Sequence, residues 1–290
     1  MRLLGVLLIT ISAASFGAMP IFAHFAYAAG ATPLTVLVFR FTIAAICFWA
    51  YVKAKRIPLP KPKNLRILIL LGAVGFVLQS LSFFTALTLA SPSVVVLLLY
   101  LYPAIVVGLS ALLQHQPSSP PKLFALGIAL VGTVLTIGPL GQANRFGIIL
   151  GLISALVYAI YVLLGEQVMQ EESALMACAV ATASAAMVYA TIAALHGMRL
   201  PTTLSGWTAI FALVLISTVV ALGTLFAGIK HLGASTAAML STLEPVITIL
   251  LSTTLLKQPI TRMQLMGGGL ILTVAVALAM EKQTTCKGLP

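Results

Sequence analysis

Glu244 lies about ten residues inside an apolar stretch of membrane-spanning length and is followed by Pro245. At an offset of 142 residues, a second apolar stretch carries Tyr102 followed by Pro103. An ionisable side chain within a membrane is costly and is usually functional or paired. A carboxylate at such a depth can bind the cationic part of a substrate or exchange a proton. The alternative is a structural ion pair or a neutral acid. Proline contributes no backbone donor, so Pro245 leaves the Ser241 carbonyl without its helical partner, and Pro103 does the same to Leu99. The residue before each proline is pushed away from helical dihedrals. Two local breaks are therefore expected, each exposing backbone polar groups to a shared cavity. Pro20 places a third break in the first apolar stretch.

Arg40 is the second deep charge, about seven residues into its own stretch. It reads first as a structural residue holding carbonyls or a helix end, with substrate contact as the alternative. At the same 142-residue offset, Thr182 stands opposite Arg40 and Tyr102 opposite Glu244, so each charge exists in one half only. A device needed purely for packing is more easily kept in both copies. Phe16, Tyr100, Tyr102, Tyr158 and Tyr161, with the amide of Gln79 and nearby Ser80 and Ser82, are the candidates to complete the site. An amphipathic lining of this kind suits a small metabolite with an apolar part. Aromatic residues in membrane segments are more often packing residues or interface anchors, and Trp49 and Trp207, close to segment ends, fit the interface role. His24 reads as an interfacial histidine, and His115, His196 and His231 lie at loop edges.

The elements that must position these residues follow from composition. Apolar residues make up 61% of the 290 and charged residues 7%, whereas soluble domains carry about a quarter charged residues. This is the composition of an all-α integral membrane protein. Segments of about 20 apolar residues cross the hydrocarbon core. The sequence divides into ten, at about 3–28, 33–52, 66–88, 92–113, 122–139, 147–168, 173–196, 207–229, 234–256 and 263–280. The first follows Arg2 and resembles a signal peptide, but its length and the spans after it point to a retained first span. Pro58, Pro60 and Pro62 stop any helix in the longest connection, from Lys53 to Lys63.

The 142-residue offset also pairs Gln116-Pro117 with Gln258-Pro259, Ser93 with Ser235, Gly127 with Gly269, Phe84 with Phe226, and Gly5 with Gly147. One constant offset implies a duplication: a first five-span repeat over 1–140, a second over 145–282, and a tail over 283–290. Five spans is an odd number, so the second copy is inverted relative to the first, as in many carriers. The net charge of +11 reports orientation here rather than nucleic-acid binding. With the N-terminus in the cytoplasm, eleven Lys and Arg lie inside and four outside, which puts both termini on the cytoplasmic face of the plasma (inner) membrane. The 53–66 cluster dominates that count. Cys47, Cys178 and Cys286 form no metal or disulfide spacing, and no cofactor is expected.

These residues resemble the EamA-type members of the drug/metabolite transporter superfamily. Ser15-Phe16-Gly17, Gly30-Ala31-Thr32-Pro33-Leu34-Thr35 and Phe39-Arg40-Phe41 are similar to the family's first two spans. The stretch from Ala90 to Gly132 and its copy from Gly233 to Ala277 resemble the repeat ends: a small-residue entry, a proline at mid-span and a glycine-bearing last helix. The resemblance covers nearly the whole chain. It departs from the family at Leu256-Lys257-Gln258, where Leu-Gly-Glu is common. It implies a ten-span carrier of amino acids, other small metabolites or drugs, frequently exported.

The resulting expectation is an alternating-access transporter of small amphipathic metabolites such as amino acids, with export as its direction and protons as a candidate coupling ion. Its partners are the small-molecule substrate and membrane lipid, with no nucleic acid. A passive channel or facilitator is the alternative. A lipid-processing membrane enzyme is the lesser one, since phosphoryl and prenyl chemistry usually needs clustered acids to hold Mg²⁺. The chain has no Asp and five Glu: Glu166, Glu171, Glu172, Glu244 and Glu281. No Ser or Cys in the spans has an evident base partner, and no GxxxxGK[ST] loop is present.

Overall fold

The computed structural model describes residues 2–90, 92–113, 120–137, 144–257 and 260–280, and helices account for nearly all of them. The Gln116-Pro117 and Gln258-Pro259 pairs, Gln142-Ala143, Glu281 and the 283–290 tail lie outside the described residues, as do the side chains of Ser93 and Lys122. Among the described residues, eight helical stretches are long and apolar enough to cross a membrane: Leu3–Ala28, Pro33–Ala54, Pro62–Ala86, Val95–Leu112, Arg145–Met169, Ala174–His196, Leu204–Leu232 and Ala234–Leu255. The remaining two expected spans correspond to shorter apolar helices, Leu123–Thr136 and Arg262–Leu278.

Several of these stretches are interrupted. The first consists of α1 (Arg2–Gly17) and α2 (Met19–Ala28), separated at Ala18. It is followed by α3 (Pro33–Ala54). The next contains α4 (Pro62–Leu70), a π-helical segment (Leu71–Phe76) and α5 (Val77–Leu89). Then come α6 (Pro92–Leu99) and α7 (Tyr102–Leu113), with a turn at Tyr100 and Leu101 between them, and α8 (Pro120–Ile137). The second half opens with two long uninterrupted helices, α9 (Arg145–Met169) and α10 (Ala174–His196). It continues through α11 (Leu204–Val214), a π-helical segment (Leu215–Val220) and α12 (Ala221–Leu232). The last elements are α13 (Ala234–Leu240), a 3₁₀ turn (Ser241–Leu243), α14 (Glu244–Leu256) and α15 (Arg262–Met280).

Caps explain several boundaries. Thr32 precedes α3 in extended backbone and its Oγ1 accepts from the Thr35 N–H at 3.3 Å. Asn144 Oδ1 accepts from the Phe146 N–H at 2.9 Å and starts α9. Thr203 does the same for α11 through the Gly206 N–H. Each side chain satisfies a donor that the first helical turn leaves unpaired.

The bundle pairs helices from the two halves. α1 packs on α12, α3 on α10, α5 on α9, and α8 on α15; α6 and α7 lie on α9, and α14 lies on α1. In a lipid environment such contacts depend on close fit more than on hydrophobic driving force. Gly72 shows the closeness: a Cβ there would run into the Ala181 carbonyl oxygen on α10.

Helix ends define two rims. α3 starts beside Arg199, whose carbonyl accepts from Thr35 Oγ1 at 2.7 Å, and close by the Thr202 N–H donates to Ala29 O at 2.9 Å. Past the other end of α3, Lys61 Nζ meets Glu171 Oε2 at 3.1 Å. Asn64 Nδ2 donates to Glu172 Oε1 at 2.8 Å, and Lys230 Nζ donates to the Glu172 carbonyl at 3.2 Å. The two glutamates are thus held by the 61–64 segment. The Lys61 hydrogen bond, with Asn64's behind it, holds the Glu171 carboxyl below its usual range.

Candidate functional site

Three of the helix interruptions converge. The break between α1 and α2 leaves the Gly17 carbonyl without its usual donor, because the Ile21 N–H bonds Ala18 O instead, at 3.2 Å. Thr248 Oγ1 on α14 takes up that carbonyl at 2.8 Å and also lies 3.0 Å from Glu244 O. Gly17 permits this approach, since a Cβ there would stand 2.8 Å from Glu244 O. The seam of the first span is therefore stitched to the seam that carries Glu244. Pro20 sits in the first turn of α2, exposed, two residues beyond the interruption itself.

Glu244 departs from expectation in one respect. Its backbone is helical, φ −52° and ψ −49°, and it opens α14 with Pro245 in the first turn, where a missing N–H costs nothing. The distortion is displaced upstream, into the 3₁₀ turn Ser241–Leu243. Tyr102 likewise opens α7, with Pro103 behind it and the turn at Tyr100 and Leu101 ahead. Both prolines are buried.

Beside these seams lies a cavity of about 90 Å³. On a scale where one water occupies about 10–15 Å³, it suits a few waters or a small metabolite. Seven of the sequence candidates line it: Phe16, Arg40, Gln79, Ser80, Tyr158, Tyr161 and Glu244. Leu99, whose carbonyl Pro103 frees, is part of the wall as well. Tyr100 and Tyr102 stand behind the wall. The Tyr100 hydroxyl donates to Glu244 Oε2 at 3.2 Å. Tyr102 is 2% exposed, and its hydroxyl makes no hydrogen bond among the described residues.

The two charges occupy the same cavity without pairing: among the described residues no carboxylate lies within ion-pair distance of Arg40. Arg40 Nε donates to Thr218 Oγ1 at 3.1 Å, in the π-helical segment Leu215–Val220, and its guanidinium carbon lies 5.2 Å from the Phe41 ring centroid. Rings connect the acidic and basic ends. Tyr102 packs on Tyr158 at 4.4 Å, Tyr158 stacks on Tyr161 at 5.4 Å, Tyr161 meets Phe76 edge-on at 4.8 Å, and Phe76 lies 5.7 Å from Phe41. Gln79 is fixed by exchange with Ser154: its Nε2 donates to Ser154 Oγ, which donates back to Gln79 O, both at 3.2 Å.

Sequence reasoning did not single out Met19, Phe41, Phe76, Phe83, Phe84 or Leu222 as wall residues. Phe41 adjoins Arg40 and Phe84 belongs to a repeat pair, but apolar side chains in an apolar helix carry no mark of the cavity they face. His24 is exposed and stacks edge-on against Phe25, away from the cavity. The described residues hold no cluster of His, Cys, Asp or Glu able to bind a metal.

Known proteins share this architecture. A crystal structure superposes with a TM-score of 0.80 over 95% of this chain and 96% of the other, at 21% identity, which establishes a common fold and nothing more. The uncharacterized transporter YcbK of Bacillus subtilis (strain 168) is 29% identical, over 98% of this chain and 95% of its own length. An uncharacterized transporter of Archaeoglobus fulgidus is 28% identical over 70% of this chain and 73% of its own. The sequence model of the EamA-like transporter family matches twice, at residues 3–138 and 145–280. With its apolar helices and both matches spanning nearly its full length, the chain is a multi-pass membrane transporter that belongs to the EamA-like family.

Proposed function

We propose that this transporter is a secondary carrier working by alternating access, and that the cavity between the helix seams is its substrate site. The observation that carries the proposal is Glu244: a carboxylate at a helix interruption, lining a cavity, with a tyrosine hydroxyl and, among the described residues, no cation as its protein partner. Such a group is free to meet a substrate ammonium or a proton. The small, amphipathic, ring-lined space favours small metabolites such as amino acids over large drugs. Walls of unlike residues, with charges on different sides, speak for a pocket rather than a pore.

Ten crossings arranged as two inverted five-helix repeats give this carrier its moving parts. Exchanging elements 142 residues apart maps α1·α12 onto α9·α5 and α1·α14 onto α9·α7, while α3·α10 and α8·α15 map onto themselves. That pattern supports a twofold relation between halves. The shorter helices at 123–136 and 262–278 then complete the count as a symmetric pair. Both termini lie in the cytoplasm and the polar rim at Lys61, Glu171 and Lys230 faces inward, consistent with the basic 53–66 segment. The protein resides in the plasma (inner) membrane and exports its substrate, with protons as counter-ion.

A comparison of metabolites inside and outside cells with and without the protein identifies the substrate. Counterflow of that compound in proteoliposomes, with Glu244→Gln beside the native protein, tests the mechanism. Saturable exchange that is lost or altered in pH dependence on substitution is expected. Unsaturable flux without exchange, or turnover of material in detergent, overturns the reading.

A further inference from the structure

Arg40 is under-used as a structural residue. A guanidinium offers five N–H donors, and among the described residues Arg40 makes one hydrogen bond, to Thr218 Oγ1. Four donors remain, on a side chain that lines the cavity and has no carboxylate within ion-pair distance. The Thr218 bond and the Phe41 ring below fix the plane of the fork. Tyr161 provides a second, independent sign. It lines the same cavity, it is 3% exposed, and its hydroxyl is buried with no hydrogen-bond partner. Its ring is held by Phe76, Tyr158 and Phe226 at 4.8–5.5 Å, so the hydroxyl cannot swing away to solvent. Buried polar groups are nearly always satisfied, and an orphan beside a cavity points to something that occupies the cavity.

We infer that Arg40 and the Tyr161 hydroxyl form an anion-recognition subsite, and that the molecule this cavity takes up carries a carboxylate. A planar fork with unused donors matches a carboxylate in two-point geometry, and a neutral hydroxyl adds a third donor without adding charge. Glu244, at the seam before α14, lines the same cavity and faces the remainder of the ligand. The inference rests on the cavity being the substrate site, which is why its test reads binding and leaves transport to a separate measurement.

The probes are propionate and propionamide, nearly equal in shape and small enough for the cavity, followed by ligand-observed NMR on the full-length protein in nanodiscs. Propionate is expected to bind about tenfold or more tightly than propionamide. Arg40→Gln should erase that preference while leaving propionamide unchanged, and Arg40→Lys should restore part of it. Tyr161→Phe removes an oxygen that no protein group holds, so the fold should persist while propionate weakens about threefold. Thermal unfolding of each variant separates misfolding from lost recognition, and the Tyr161→Phe result stands if Arg40→Gln fails to fold. Equal binding of the two probes, no propionate binding to the native protein, preference for methylphosphonate over propionate, or native preference in both Arg40→Gln and Tyr161→Phe overturns the subsite. Intact propionate preference in a protein that shows no counterflow would instead overturn the carrier mechanism and leave the subsite standing.

Discussion

The two proline seams, Tyr102-Pro103 and Glu244-Pro245, use one backbone device for different chemistry. In each, the proline occupies the first turn of a helix and the distortion falls in the residues just before it. The side chain preceding proline is an aromatic ring in the first half, buried behind the wall residue Tyr158. In the second half it is a carboxylate on the cavity wall. The neighbouring stitch differs as well. Thr248 holds the Gly17 carbonyl beside the second seam, while the positions 142 residues earlier and later, Val106 and Ala159, are buried apolar residues on α7 and α9. At this pair of seams the first half thus supplies packing and the second supplies a carboxylate and its tether. A duplicated scaffold can keep its geometry in both copies and place each charge in one.

That contrast can be broken most sharply at the charge itself. Glu244→Gln is expected to reduce counterflow about tenfold or more, whereas Tyr102→Phe, which removes a hydroxyl without a partner, should leave it within about twofold. Equal losses would mean the seams are functionally alike. Next in size is Gly17→Ala. Its new Cβ would press on Glu244 O, and overpacking of this kind costs about 1–3 kcal/mol; thermal unfolding should show it, with Ala159→Gly on the opposite side costing about 1 kcal/mol or less. Thr248→Val should cost about 0.5–1.5 kcal/mol by leaving the Gly17 carbonyl unmet, with Thr248→Ser recovering most of it. Full stability in Thr248→Val would remove the tether from the account.

The smallest effect belongs to the polar rim. Because Lys61 and Asn64 depress the Glu171 pKa, their contribution is present above the carboxyl's unfolded pKa and fades as pH falls through its lower folded value. Lys61 and Glu171 are exposed, so Lys61→Ala should give only a slight drop in unfolding temperature, vanishing in high salt and in acid. A large drop that survives salt would show the rim to be a packed joint instead.

What the sequence revealed follows from how rare each signal is in an apolar chain. A lone carboxylate, a lone guanidinium and a repeated proline are conspicuous there, and Glu244, Arg40 and Gln79 all meet at one cavity. Phe16, Tyr158 and Tyr161 were legible as aromatics near the breaks. Phe41, Phe76, Phe83 and Phe84 were not, because helix rotation decides whether a ring faces a cavity, a neighbour or lipid, and nearly every face of these helices is apolar. The breaks themselves were legible, but their placement was not. Proline is tolerated in a first turn, so Glu244 stays helical and the irregular turn falls at Ser241–Leu243. The π-helical segments Leu71–Phe76 and Leu215–Val220 carry no proline and left no trace in the pattern. Their position near the same 142-residue spacing suits the duplication.

The claim on which the mechanism stands is that the space between the seams opens to water on each side of the membrane in turn. Leu222→Cys places a thiol on the cavity wall, and Leu215→Cys places one on the exposed apolar surface of the same span, after Cys47, Cys178 and Cys286 are replaced. Reaction with a membrane-impermeant methanethiosulfonate is then followed in right-side-out and inside-out vesicles. Leu222→Cys is expected to react from both sides and Leu215→Cys from neither. A Leu222→Cys thiol as silent as Leu215→Cys from both faces would rule alternating access out.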